Sequence, residues 1–121
     1  MVAGILIVDD DVDTGEAMSE LLAYQGFEVA LATDGQRALE ALRGADTLPD
    51  VILLDLMMPV MNGWQFRKAQ LDDPQLAAVP VIVVTASWAS DSQLSQLKAA
   101  ALFHKPVDAG TLVRKINSIC H

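Results

Sequence analysis

The chain has 121 residues, a formal charge of −8 and one cysteine, Cys120. That length suits a single domain over residues 1–121, and 52% hydrophobic content is enough for a core without disulfides. The negative charge, with eight basic residues that form no stripe, speaks against an electrostatic grip on nucleic acid or an anionic membrane.

Aromatics make up only 5% of the chain, so its core must be built mainly from Val, Ile, Leu and Ala. No apolar stretch approaches membrane-spanning length, and the first strand starts too near Met1 for a cleaved leader. Cys120 has no partner for an internal disulfide, and a cytoplasmic location is the simplest expectation.

In chain order, the first apolar run covers about residues 3–8 and runs straight into Asp9-Asp10-Asp11. A helix is predicted over about 13–25, with Met18, Leu21 and Leu22 inward and Gly26 as its stop. Gly15 in its first turn is a poor helix residue and blurs the start. The second strand, 27–31, leads to Asp34, an N-cap by type, and to a helix through Arg43 closed by Gly44. The third, Val51–Leu54, ends on Asp55. A methionine-rich loop follows to Gly63, then a helix carrying Trp64, Phe66 and Leu71 that ends before Asp72. The fourth strand, 81–84, ends at Thr85. A weaker, serine-rich helix is expected over about 90–100, and a short fifth strand, Ala101–His104, meets Lys105-Pro106. The last helix starts near Asp108 and carries Leu112, Val113, Ile116 and Ile119 at helical spacing. The order βαβαβαβαβα predicts an α/β sheet with right-handed crossovers and helices on both faces.

The suggestive polar residues all follow carboxyl ends of predicted strands: Asp9 and Asp10, Asp55, Thr85, Lys105. That edge is where open α/β sheets place their chemistry. If Asp9, Asp10 and Asp55 converge to about 5 Å, each like-charge pair costs roughly 3 kcal/mol at an effective dielectric near 20. A small domain is stable by only about 5–15 kcal/mol, so the cluster needs counter-charge or protons. Lys105 supplies one charge and a hard divalent cation two. Mg²⁺ suits few carboxylates, because it keeps waters and completes its shell with phosphate oxygens. A cation, a carboxylate, a hydroxyl and an ammonium group are the equipment for moving a phosphoryl group onto Asp55.

These residues resemble the receiver domains of bacterial two-component response regulators, the CheY-like family. The resemblance rests on Asp9-Asp10, Asp55-Leu56-Met57-Met58-Pro59-Val60-Met61-Asn62-Gly63, Thr85-Ala86 and Lys105-Pro106. Asp34-Gly35-Gln36-Arg37-Ala38-Leu39 and Pro80-Val81-Ile82-Val83-Val84 support it, and it covers essentially the whole chain. It implies a doubly wound (βα)5 flavodoxin-like sandwich whose five-stranded parallel sheet has the order 2-1-3-4-5.

It further implies that Asp55 is the phosphoacceptor. Asp10 and Asp55 ligate Mg²⁺ by their side chains and Met57 by its carbonyl, while Asp9 holds the ion mainly through water. Lys105 pairs with the phosphoryl group and Thr85 swings toward it. The phosphoryl donor is a histidine kinase or a histidine phosphotransfer protein, and water later removes the group. The signal leaves through the face of the fourth helix, fifth strand and fifth helix, with no direct nucleic-acid or membrane partner. No output domain is expected after the last helix. A free-standing regulator is preferred, with a receiver excised from a hybrid kinase or longer regulator as the alternative.

Departures from the family pattern set further expectations. Leu102 stands where an aromatic switch residue is common, and strand alternation puts Phe103 on the opposite face. Lys98-Ala99-Ala100-Ala101 lacks the usual Gly-Ala, so the fourth helix should end differently and be short or mobile. Val107 replaces a common Phe. Non-acidic Met57 and Ser87 predict slow dephosphorylation.

Other residues carry plainer expectations. Asp11 and Asp13 read as a helix entry, Trp64 as packing, His104 as structural or solvent-facing, and His121 as a terminus. Met57, Met58 and Met61 suit partner contact or partial burial, and Trp88 a partner contact or a cap on the sheet. An Asp-nucleophile phosphohydrolase would usually carry a second acid where Met57 stands, and a cap domain. A flavodoxin-like cofactor carrier would need a Ser, Thr and Gly-rich turn where Asp9-Asp10-Asp11 stands.

Overall fold

The computed structural model describes residues 2–86 and 89–120, so Ser87, Trp88 and His121 lie outside the described residues. Strands and helices alternate through them. They are β1 (Gly4–Val8), α1 (Val12–Tyr24), β2 (Glu28–Ala32), α2 (Gly35–Gly44) and β3 (Val51–Leu54), followed by α3 (Gly63–Asp72), β4 (Val81–Thr85), α4 (Asp91–Ser95), β5 (Ala101–His104) and α5 (Ala109–Cys120). The strands form one parallel sheet of order β2-β1-β3-β4-β5, as expected.

Successive side chains of a strand point to opposite faces, and here each face is buried against its own helices. Ile5, Ile7, Leu53, Ile82 and Val84 pack with Leu22 of α1 and with Leu112 and Ile116 of α5. Leu6, Val8, Ile52, Leu54, Val81 and Val83 pack with Ala38, Leu39 and Leu42 of α2 and Phe66 of α3. A parallel sheet covered on both faces needs such near-continuous apolar strands. Each fully buried Leu, Ile or Phe contributes about 1.5–3 kcal/mol of burial.

Local chemistry explains most helix starts. The Asp11 carboxylate accepts from Thr14 N and Oγ1 at 3.3 and 2.8 Å, and Asp34 accepts from Arg37 N at 2.8 Å. Asn62 and Gln65 form a reciprocal capping box at α3, as do Ser90 and Gln93 at α4. Asp11 is thus a helix cap, as its plain reading held.

Gly15 does not delay α1, which begins at Val12 and runs straight through it. The glycine is buried, and a Cβ there would stand 3.4 Å from Leu31 Cδ2, within van der Waals contact of β2. The second strand sits one residue later than expected.

The largest difference is α4. The helix expected over 90–100 is a single turn and a little more, ending at Ser95, and so is short, as the missing Gly-Ala suggests. Residues 96–100 form an irregular link in which Lys98 takes a left-handed φ of 50°. Among the described residues no helix is long and apolar enough to cross a membrane.

Candidate functional site

β1 and β3 are neighbours with Val8 opposite Leu54, so the residues that follow, Asp9 and Asp55, leave the sheet side by side. Backbone bonds hold both there: Asp9 N donates to Ala32 O at 3.0 Å and Asp55 N to Val8 O at 2.9 Å. Both acids are buried, whereas Asp10 is exposed. Carboxylate oxygens of Asp9, Asp10 and Asp55 all lie within 4.8 Å of one another. The convergence supposed from strand ends is present.

Lys105 follows β5, on the far side of β4. Its backbone N donates to Thr85 O at 2.9 Å, and its side chain reaches back across the strand ends. Nζ donates to Asp9 Oδ2 at 2.7 Å and to Asp55 Oδ2 at 3.2 Å. The remaining oxygens accept backbone amides, Asp9 Oδ1 from Asp11 N at 2.9 Å and Asp55 Oδ1 from Met57 N at 3.2 Å. Every oxygen of the two buried carboxylates therefore has a donor.

Burial pushes the Asp9 carboxyl above its ordinary pKa, and the opposing hydrogen bonds from Lys105 and Asp11 do not fully offset it. Burial alone would lower the Lys105 pKa. The hydrogen bond to Asp9 and the charges of Asp55 and Asp9 outweigh it and leave the ammonium above its ordinary value. Three carboxylates against one ammonium leave an excess of two negative charges when all are ionised. That excess, and an all-oxygen donor set, fit one hard divalent cation of the Mg²⁺ type.

The loop carrying Asp55 is clamped by two glycines. Gly63 N donates to Leu56 O at 3.0 Å, and a Cβ at Gly63 would overlap the Asp55 carbonyl oxygen and lie 2.7 Å from Leu56 Cα. Gly35 N donates to Met61 O at 3.0 Å, and a Cβ there would sit 2.8 Å from that oxygen. Val60 between them has φ 67° and is 82% exposed. Met58 is buried, Met61 partly so, and the Met57 side chain points to solvent.

Thr85 closes β4 and is fully buried. Strand alternation holds in β5: Leu102 packs on the α2–α3 side and Phe103 on the α1–α5 side. His104 is half-buried, paired in register with Thr85. Trp64 packs against the core.

The polar residues that strand-end reasoning missed are Arg67 and Gln70, both buried in α3. Arg67 Nε donates to Leu97 O at 2.7 Å, Nη2 to Lys98 O at 2.9 Å, and Nη1 to Gln70 Oε1 at 2.7 Å. Gln70 Nε2 donates to Leu76 O and Val79 O. Burial lowers the pKa of the guanidinium. The available signal was spacing: Gly63, Phe66, Arg67 and Gln70 share the inward face of one helix.

Residues 5–117 match the family model of the response regulator receiver domain. The chain is 36% identical to the response regulator PleD of Caulobacter vibrioides, over 98% of this chain and 26% of that protein. It thus spans about a quarter of PleD. It is 33% identical to the protein PilH of Pseudomonas aeruginosa, over 97% of each. Among solved structures, the chemotaxis protein CheY4 of Vibrio cholerae superposes with a TM-score of 0.87 at 30% identity, covering 98% of this chain and 99% of that one.

Proposed function

The chain belongs to the response regulator receiver family, and on that premise we propose that it is a phosphoacceptor switch with Asp55 as the acceptor. The observation that carries this reading is the Lys105 ammonium bridging the Asp9 and Asp55 carboxylates at the mouth of the parallel sheet. A donor histidine kinase or histidine phosphotransfer protein presents a phosphohistidine. An Asp55 carboxylate oxygen attacks phosphorus, the P–N bond breaks, and the electron pair leaves with the imidazole. Asp9, Asp10 and Asp55, with the Met57 carbonyl, would hold Mg²⁺, which when bound supplies charge to offset the phosphoryl oxygens.

Lys105 already rests against the acceptor oxygen, so its ammonium is in place for the negative charge that develops there. The Thr85 hydroxyl turns toward the new phosphoryl group, and the change reaches the face of α4, β5 and α5. Residues 1–121 act as one receiver unit in this scheme.

Incubation with acetyl phosphate and Mg²⁺, followed by intact-mass spectrometry, tests it. One phosphate adduct is expected on the native protein and none on Asp55→Asn. Failure of the native protein to label, together with no change on adding beryllofluoride, would overturn the reading.

A further inference from the structure

The link between α4 and β5 is held by a side chain remote in sequence, and that side chain belongs to the helix that abuts the acceptor. Residues 93–100 contain neither Gly nor Pro and are rich in Leu, Gln, Lys and Ala, all compatible with helix. The helix nonetheless stops at Ser95. Gln96, Leu97 and Lys98 donate back only three residues, to Gln93, Leu94 and Ser95. Lys98 then sits in the left-handed region, which disfavours a side chain. Local preference therefore does not account for this conformation.

Tertiary contacts do: Leu97 is buried in the core, and the Arg67 guanidinium occupies the two carbonyls, Leu97 O and Lys98 O, that an extended helix would turn along its own axis. All the hydrogen-bond partners described for it are neutral oxygens. A buried cation so placed tolerates little displacement, because each lost partner leaves a desolvated donor. One turn earlier, on the same face of α3, Gly63 lies against the backbone of Asp55 and Leu56 without room for a methyl group. A single helical turn thus joins the acceptor loop, backbone to backbone, with the link that leads into β5.

We propose that Arg67 is a positioning residue that couples the state of the Asp55 loop to the conformation of residues 96–100, and so to β5. The proposal rests on the phosphoacceptor reading. A movement of α3 away from its resting place draws the guanidinium off Leu97 O and Lys98 O and frees the link to change its fold. This route runs through backbone carbonyls and does not need an aromatic side chain at Leu102.

Segment-resolved hydrogen exchange with Mg²⁺, before and after beryllofluoride, tests it. In the native protein exchange should change in both 55–63 and 94–101. In R67M the change at 55–63 should persist. Residues 94–101 should exchange about tenfold faster from the outset, as expected for loss of hydrogen bonds to a charged group, and show no further response. R67K keeps the charge but cannot fork onto two carbonyls; it should give a reduced response and serves as the test if R67M does not fold. A native-sized response at 94–101 in the folded variant would overturn the coupling and leave the phosphoacceptor reading intact. A native protein that responds at 55–63 but not at 94–101 would also overturn it. No response at 55–63 in the native protein would overturn that reading, and the coupling with it.

Discussion

The loop after β3 and the link after α4 each contain a residue in the left-handed region, Val60 and Lys98, yet they are held in opposite ways. The Asp55 loop is fixed mainly by close backbone approach, Gly63 against Asp55 and Leu56 and Gly35 against Met61, with the Asn62–Gln65 capping box at its end. The link is held by burial of Leu97 and by one guanidinium from a residue 30 positions away. The first arrangement has little slack, as the proposed in-line attack by the Asp55 carboxylate requires. The second relies on a side chain from another element, and under the proposed coupling it is the part that is released. In the proposed scheme the contrast separates a stiff chemical end from a conditional output end.

The largest effect should come from the chemical end. Lys105→Met removes the donor that bridges Asp9 and Asp55 and should slow labelling of Asp55 by acetyl phosphate about 100-fold, the scale for losing one preorganised charge-stabilising donor. A time course by intact mass measures it. An unchanged rate would mean that the bridging contact is structural and that the stiff end needs no ammonium.

Next is the clamp itself. Gly63→Ala drives a methyl group into the Asp55 carbonyl oxygen and Leu56 Cα, both backbone, so neither can rotate away. Urea unfolding should show a loss of about 2–3 kcal/mol, typical of overpacking a site that cannot relax. A variant as stable as the native chain would show the loop to be looser than its contacts imply, and the comparison would weaken.

The two left-handed residues sharpen it further. Val60 is β-branched and exposed, so Val60→Gly removes strain without removing packing and should stabilise the fold by about 1 kcal/mol. Lys98→Gly relieves an unbranched residue and should gain less. The same unfolding experiment ranks them. A larger gain at Lys98 would place the greater strain in the link rather than beside the acceptor.

Much of this was legible in the chain, for a local reason. Apolar runs ending on Asp9, Asp55, Thr85 and Lys105 mark strand ends, and strand ends of one parallel sheet share an edge. The helix cap at Asp34 followed from equally local chemistry, whereas the order of the five strands came only from the resemblance to the receiver family. What was not legible is set by contacts distant in sequence. A short α4 was expected from the missing Gly-Ala, but its end at Ser95 was not, because Leu97 is buried in the core and Arg67 reaches Leu97 O and Lys98 O from 30 residues away. Arg67 does not follow a strand end and so drew no attention in the sequence. Its burial shows only when α3 is drawn with Phe66 and Gln70 on one face. Gly15 misled in the other direction, since α1 begins before it and runs through it in spite of its poor helix preference.

The smallest effect should fall on the lifetime of the switch. Met57 donates its backbone amide to Asp55 Oδ1, while its side chain stands 62% exposed beside the site. An attacking water must approach the phosphoryl group from outside, and an apolar side chain there offers it no hydrogen bond to hold it in line. Met57→Asn keeps the backbone contact and adds a polar group able to orient that water. Phosphate loss, followed by mass after the donor is removed, should therefore speed up severalfold, with labelling and stability little altered. An unchanged rate would mean that access of water is set elsewhere, by the clamped loop rather than by the side chain it displays.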